Sequence, residues 1–262
     1  MPAAPGSGAR PWQRYNPRVS VRIFVPDAAQ PGEQLALPAE EAAHVARVLR
    51  LVRGDSLRVF NGRGGEWLAR VESCSKAAVT VIVLEAAAPA RETRVRYTIA
   101  LALLKGDGTD EAIRDAVMMG AAAVLPFVAA RSEVSAAAAQ RGHRRDRWQR
   151  VAVSSAKQCG RAVVPAVDAP VTFDQVLAGS VDGLRLLLVE PGAGDGTVVL
   201  ADVPAPGSAT LAVGPEGGWT TAEVARAGNA GWMLVRLGGR TLRATSAPLA
   251  ALAACQAVWR DD

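Results

Sequence analysis

Two glycine-rich segments near the carboxyl end hold the residues best suited to chemistry. The first is Gly214-Pro215-Glu216-Gly217-Gly218, the second Leu237-Gly238-Gly239-Arg240-Thr241-Leu242-Arg243. Glycine lets a ligand approach the backbone and tolerates positive φ. The first segment carries one carboxylate, Glu216, which could accept a proton or simply brace its own loop. The second ends in Arg243, whose guanidinium stays charged at every relevant pH and could stabilise developing negative charge. A salt bridge or a phosphate contact would suit Arg243 equally. The spacing is not the Gly-x-Gly-x-x-Gly of dinucleotide binders, and no P-loop lysine follows. By spacing alone, both segments also read as plain turns.

The elements around them set their position. An apolar strand, Leu211–Val213, feeds the first segment, and Thr220 with Glu223 three residues on forms a capping box that opens a helix. A second apolar run, Trp232–Leu237, feeds the other segment. Both loops then sit at the carboxyl ends of strands, where open α/β sheets bind ligands. Upstream, strand Val95–Leu104, helix Asp110–Met119, strand Ala122–Val128, helix Arg144–Ala156 and strand Leu184–Glu190 alternate. Such alternation means an α/β domain with a mainly parallel sheet. A last helix has Ser246 as its cap and Pro248 in its first turn. Leu249, Leu252, Cys255 or Gln256, and Trp259 give it an apolar stripe.

Residues 20–88 read as a small β-barrel. Leu57–Phe60 and Trp67–Val71 flank an Asn61-Gly62 turn signal, and Val79, Val81 and Val83 alternate. A helix from about Glu40 to Leu51 interrupts. Ala86–Glu92 is a linker, and 92–262 forms the second domain. Residues 1–19 read as a flexible arm. There Trp12, Arg14, Tyr15 and Arg18 interleave rings with charge, as single-strand binders do, although a tail packed on its own domain would look the same.

Taken together, these blocks resemble the SPOUT methyltransferases, and within them the ribosomal RNA small subunit methyltransferase E family. The Gly-Pro-Glu-Gly-Gly and Leu-Gly-x-Arg-x-Leu-Arg loops carry the likeness. Arg22-Ile23-Phe24-Val25, His44–Arg50, Lys105-Gly106-Asp107 and Gln158-Cys159-Gly160-Arg161 with Pro165 extend it. The resemblance implies a PUA-like RNA-binding barrel followed by a SPOUT domain with a C-terminal trefoil knot, working as a homodimer. It implies S-adenosylmethionine as cofactor and methylation at N3 of a uridine in small-subunit ribosomal RNA, in an assembled subunit. Cofactor contacts would come from Leu188, Val189, Glu190, Gly214, Pro215, Gly217, Gly218, Leu237, Gly238, Arg240, Leu242 and Arg243. Arg243 and Glu216 would be the catalytic pair. Lys105, Arg131, Gln158 and Arg161 would line the RNA path, and Arg22, Arg47 and Arg50 would hold phosphates, although each also reads as ordinary surface charge. The chain departs from the family at Thr245 and Met118, where acidic residues are usual.

Composition agrees without deciding. The 262 residues carry 30 Lys and Arg against 25 Asp and Glu, a net +5 that fits an anionic partner. High-GC coding would raise arginine equally. Cys74, Cys159 and Cys255 form neither a metal spacing nor a disulfide framework. His44 and His143 are the only histidines, so no metal site or Ser/His/Asp set is expected. There is no signal-peptide core, and Ala116–Ala130 is too short to span a bilayer, so a cytoplasmic protein without membrane contact is expected. Leu186–Gly196 mimics the glycine turn of a class I methyltransferase but comes too late in its domain. A non-catalytic ribosome-assembly factor and a SPOUT enzyme with another RNA target remain as alternatives.

Overall fold

A computed structural model describes residues 21–75, 78–134, 139, 143–179, 183–193 and 196–261. The expected arm over 1–19 lies outside these residues. The chain divides into two compact units, Met1–Pro89 and Ala90–Asp262, and the break falls inside the alanine-rich stretch Ala86–Glu92.

The first unit contains β1 (Arg22–Phe24), β2 (Gln34–Ala36), α1 (Ala39–Ala43), β3 (Ser56–Phe60), β4 (Glu66–Cys74) and β5 (Val79–Ala86). They form one sheet in the order β1-β3-β4-β5-β2. Period-2 alternation sends Val79, Val81 and Val83 into a core with Ile23, Leu57, Val59, Ala69 and Val71. At the β3–β4 turn, Asn61 Oδ1 accepts the N–H groups of Arg63 (2.9 Å) and Gly65 (3.0 Å), so the side chain holds the loop. The helix expected over 40–51 is different in kind. After α1 it widens into a π-helical segment, His44–Leu49, which stops where Arg50 turns left-handed (φ 52°).

The second unit contains β6 (Arg96–Ala102), α2 (Gly108–Met118), β7 (Ala123–Val128), α3 (Arg144–Cys159), β8 (Ala166–Val167), β9 (Val171–Thr172), α4 (Phe173–Ala178), β10 (Leu184–Leu188), β11 (Ser208–Val213), α5 (Thr221–Asn229), β12 (Met233–Val235) and α6 (Ala247–Trp259). The sheet order is β12-β10-β11-β6-β7-β8, with β9 beside β7. The pairings described are parallel. The chain runs outward from β6 through β7 and β8, then returns to lay β11 on the other side of β6. That reversal creates a topological switch point.

Several expected elements are shorter or displaced. The run Trp232–Leu237 pairs only over Met233–Val235, which leaves Leu237 in the loop. On α6, Ser246 is the cap residue but its hydroxyl makes no capping bond. The buried stripe is Pro248, Ala251, Leu252, Cys255 and Trp259. Leu249 is 38% exposed, because the helix starts with Pro248 facing the core. Burial pushes the Cys255 thiol up to about 12, so it behaves as a small apolar side chain.

Past α6, Arg260 is left-handed (φ 51°) and turns Asp261 inward. The buried Asp261 carboxylate accepts the N–H groups of Arg94 (2.5 Å) and Val95 (3.2 Å) ahead of β6. Among the described residues, no helix is long and apolar enough to cross a membrane.

Candidate functional site

A cavity of about 790 Å³ opens at the carboxyl ends of four adjacent strands, β12, β10, β11 and β6. Each strand contributes its following loop: Leu188–Pro191 after β10, Gly214–Trp219 after β11, Leu237–Ala244 after β12, and Lys105 with Asp107 and Gly108 after β6. All twelve residues expected to contact a cofactor line this cavity, as do Glu216 and Lys105. Its size lies within the range of about 300–1,000 Å³ usual for small-molecule sites.

The first loop must be built from glycine. A β-carbon on Gly214 would lie 2.8 Å from the Trp219 ring. One on Gly218, which sits at φ +68°, would strike the Glu190 carboxylate. Trp219 sets the loop from below. Its Nε1–H donates to the Leu188 carbonyl at 2.8 Å, and its ring packs on Phe127 and Phe173 at 6.0 and 4.9 Å between centroids. The capping box forms as expected. Thr220 Oγ1 accepts the Glu223 N–H, and Glu223 Oε2 accepts the Thr220 N–H at 2.9 Å.

Glu223 also does something the sequence conceals: its Oε1 accepts the Ala130 N–H at 2.8 Å, across 93 residues. Burial alone would raise this carboxyl's pKa. The donors of Ala130 and Thr220, with Arg226 nearby, hold it below the usual range instead.

The polar groups of the cavity are unequally committed. Glu216 Oε1 accepts the Lys105 N–H at 3.0 Å, which ties the glycine loop to the loop after β6. Lys105 Nζ pairs with Glu133 at 3.2 Å on the surface. Asp107 is held at 2.6 Å by Arg147, which also binds Asp110, and these two carboxylates raise the arginine's pKa. Arg240 and Arg243 are exposed on the third loop and line the cavity.

Three arginines expected on RNA are instead bonded within the protein. Arg22 makes a buried pair with Glu66 (2.8 Å) and lies 4.5 Å above the Phe60 ring. Arg161 is buried, pairs with Glu92 (2.5 Å), and donates to the carbonyls of Val117 and Ala121. Arg131 donates to the carbonyls of Gly217 and Trp219. Sequence alone cannot separate such guanidiniums from surface charge, since their partners are tens of residues away. Arg47, Arg50, Lys105 and Gln158 are exposed.

Other lining residues carry no site expectation from the sequence: Gly108, Glu111, Trp219 and Ala247; Asp107, from the Lys105-Gly106-Asp107 segment, and Thr245, the departure from the family pattern, line the cavity too. Asp107 and Glu111 lie four apart at the start of α2, a spacing that could have placed both on one helical face. Thr245 fills the space beside Gly108; a β-carbon there would lie 3.2 Å from its Cγ2.

Comparison with known proteins agrees with this geometry. Residues 91–256 match a family model described as an RNA methyltransferase domain, and residues 37–84 match an RNA methyltransferase PUA domain. The ribosomal RNA small subunit methyltransferase E of Synechocystis sp. is 35% identical over 86% of this chain and 73% of its own. The Bacillus subtilis protein of that name is 32% identical over 84% and 88%. A Neisseria gonorrhoeae protein of the same name, solved bound to S-adenosyl methionine, superposes with a TM-score of 0.83 at 30% identity, covering 91% of this chain and 98% of that one.

Proposed function

The chain belongs to the RNA methyltransferase family, and from that premise we propose that it transfers a methyl group from S-adenosylmethionine to N3 of a uridine in small-subunit ribosomal RNA. The observation that carries this reading is the convergence of four loops, one of them bearing Arg243, on a single cavity at the switch point.

The cavity suits the cofactor. Gly214, Gly217 and Gly218 present bare backbone that could read an adenine edge. Leu188, Val189, Leu237 and Leu242 supply apolar walls. Glu111, Glu190 and Glu216 offer negative charge to a sulfonium or ammonium group. When bound, S-adenosylmethionine supplies an already activated methyl group.

The protein's own task is then the nucleophile. Uridine N3 carries a proton, and its loss puts negative charge on the flanking carbonyl oxygens. Arg243 stabilises that charge. Glu216 keeps Oε2 available to take the proton, while its Oε1 is held by the Lys105 N–H. The exposed Lys105 and Gln158 line the RNA path, and the exposed Arg47 and Arg50 hold phosphates, contacts that position the RNA without reading its sequence.

The reading extends to a trefoil-knotted C-terminal segment and a homodimer in the cytoplasm. The exposed Met118, Leu249 and Val258 offer apolar surface to a second copy.

The test is transfer of labelled methyl from S-adenosylmethionine to small ribosomal subunits taken from cells lacking this protein, with mass spectrometry of the nucleosides. The expected product is N3-methyluridine. A different methylated nucleoside would move the target. Cofactor binding without transfer would favour an assembly factor.

A further inference from the structure

We propose that Arg131 is a positioning residue for the cofactor loop and not a contact to RNA; this rests on the methyltransferase reading above. Arg131 follows β7, whose loop is not among the residues that line the cavity. Its local geometry is set by a turn in which Ser132 Oγ accepts the Ala129 N–H at 3.1 Å and the Ser132 N–H donates to the Ala129 carbonyl. From there Arg131 Nη1 donates to the Gly217 carbonyl at 2.9 Å and to the Trp219 carbonyl at 3.2 Å.

A peptide unit is planar, so each bond fixes an N–H as well. Holding the Gly217 carbonyl orients the plane that carries the Gly218 N–H, which donates to the Pro215 carbonyl at 2.9 Å and closes the turn. Holding the Trp219 carbonyl orients the Thr220 N–H, which goes to Glu223 Oε2. The neighbouring Ala130 N–H goes to the other oxygen of the same carboxylate. Residues 130 and 131 therefore grip the stretch 217–223 at both ends. The fit is close as well as bonded: a β-carbon on Gly217 would stand 3.0 Å from Arg131 Cβ. Arg131 Nη1 is thereby committed to the protein's own carbonyls.

The experiment measures S-adenosylmethionine binding by calorimetry, together with steady-state methyl transfer to small subunits. It compares the full-length wild type with Arg131→Ala, Arg131→Lys and Arg131→Gln. Arg131→Ala is expected to weaken cofactor binding about tenfold and to raise the cofactor KM in parallel. The kcat at saturating cofactor should stay within about threefold and the subunit KM should not change. Lysine, with one donor head in place of the planar fork, should recover part of the loss. Arg131→Gln, shorter than arginine but still a donor, should show an intermediate loss, which covers the case of an alanine variant that does not fold. Unchanged cofactor affinity with a raised subunit KM would assign Arg131 to RNA and overturn the proposal. A wild type that binds no S-adenosylmethionine would overturn the methyltransferase reading itself, a result visible before any variant is compared.

Discussion

The two glycine-rich loops of the cavity look alike in sequence and are held very differently. Gly214–Gly218 is braced on every side. Trp219 lies beneath it, Glu216 ties it to Lys105, and Arg131 and Glu223 tie it to the loop after β7. Residues 238–243 are all exposed, and β-carbons on Gly238 or Gly239 would meet nothing within 4 Å. That loop is anchored at its end, where the Arg243 carbonyl accepts the N–H groups of Ser246 (3.0 Å) and Ala247 (3.1 Å). Preorganised contacts lose less freedom on binding, whereas weakly held loops are the ones that move. The first loop is thus held along its length, and the second, which carries Arg243, is held mainly at its end.

The hardest blow to this contrast is Trp219→Ala. It removes the indole bond, the stacking on Phe127 and the tilted ring contact with Phe173. It should cost about 3–5 kcal/mol in urea denaturation, a loss the exposed loop has no residue to match. Next is Arg243→Ala. Turnover should fall at least about a hundredfold, while cofactor affinity holds within a few fold and stability barely changes. Near-normal methylation by that variant would sink the electrostatic role.

Third, Glu223→Gln should cost about 1–3 kcal/mol at neutral pH, since a buried, charge-assisted network is weakened. The carboxyl's folded pKa is depressed, so its contribution is fully present above the ordinary glutamate value and disappears as pH falls through the folded value. The gap in denaturation midpoint between wild type and Glu223→Gln should therefore close on acidification. A gap that stayed constant with pH would contradict the assignment.

The finest discrimination comes from two glycines. Gly214→Ala must push on the Trp219 ring, at about 1–3 kcal/mol. Gly239→Ala should change stability by under about 0.5 kcal/mol. Equal effects would erase the distinction between the loops.

What could be read in the sequence divides along the same line. Strand-to-loop order, the Thr220–Glu223 box and the glycines are local patterns, so the cavity's outline was legible. The second capping box, Thr172 with Gln175 ahead of α4, was equally local and went unread. The braces were illegible for a physical reason. Glu223 to Ala130, Glu216 to Lys105, Arg161 to Glu92 and Arg22 to Glu66 join residues 93, 111, 69 and 44 apart. No periodicity records such pairs. Leu249 was misplaced because a helix that opens at a proline can start its buried face one residue earlier than the leucine spacing suggests.

The Asp261 carboxylate, bonded to the amides of Arg94 and Val95, places the end of α6 beside the start of β6. The backbone of the second unit is thus nearly a closed ring, with neighbouring ends of the kind that circular permutation needs. A linker long enough to run back from residue 261 past the four residues ahead of Arg94 to residue 90 would complete the ring. A new opening at the exposed Pro204-Ala205 pair would leave every strand pairing of the sheet uncut.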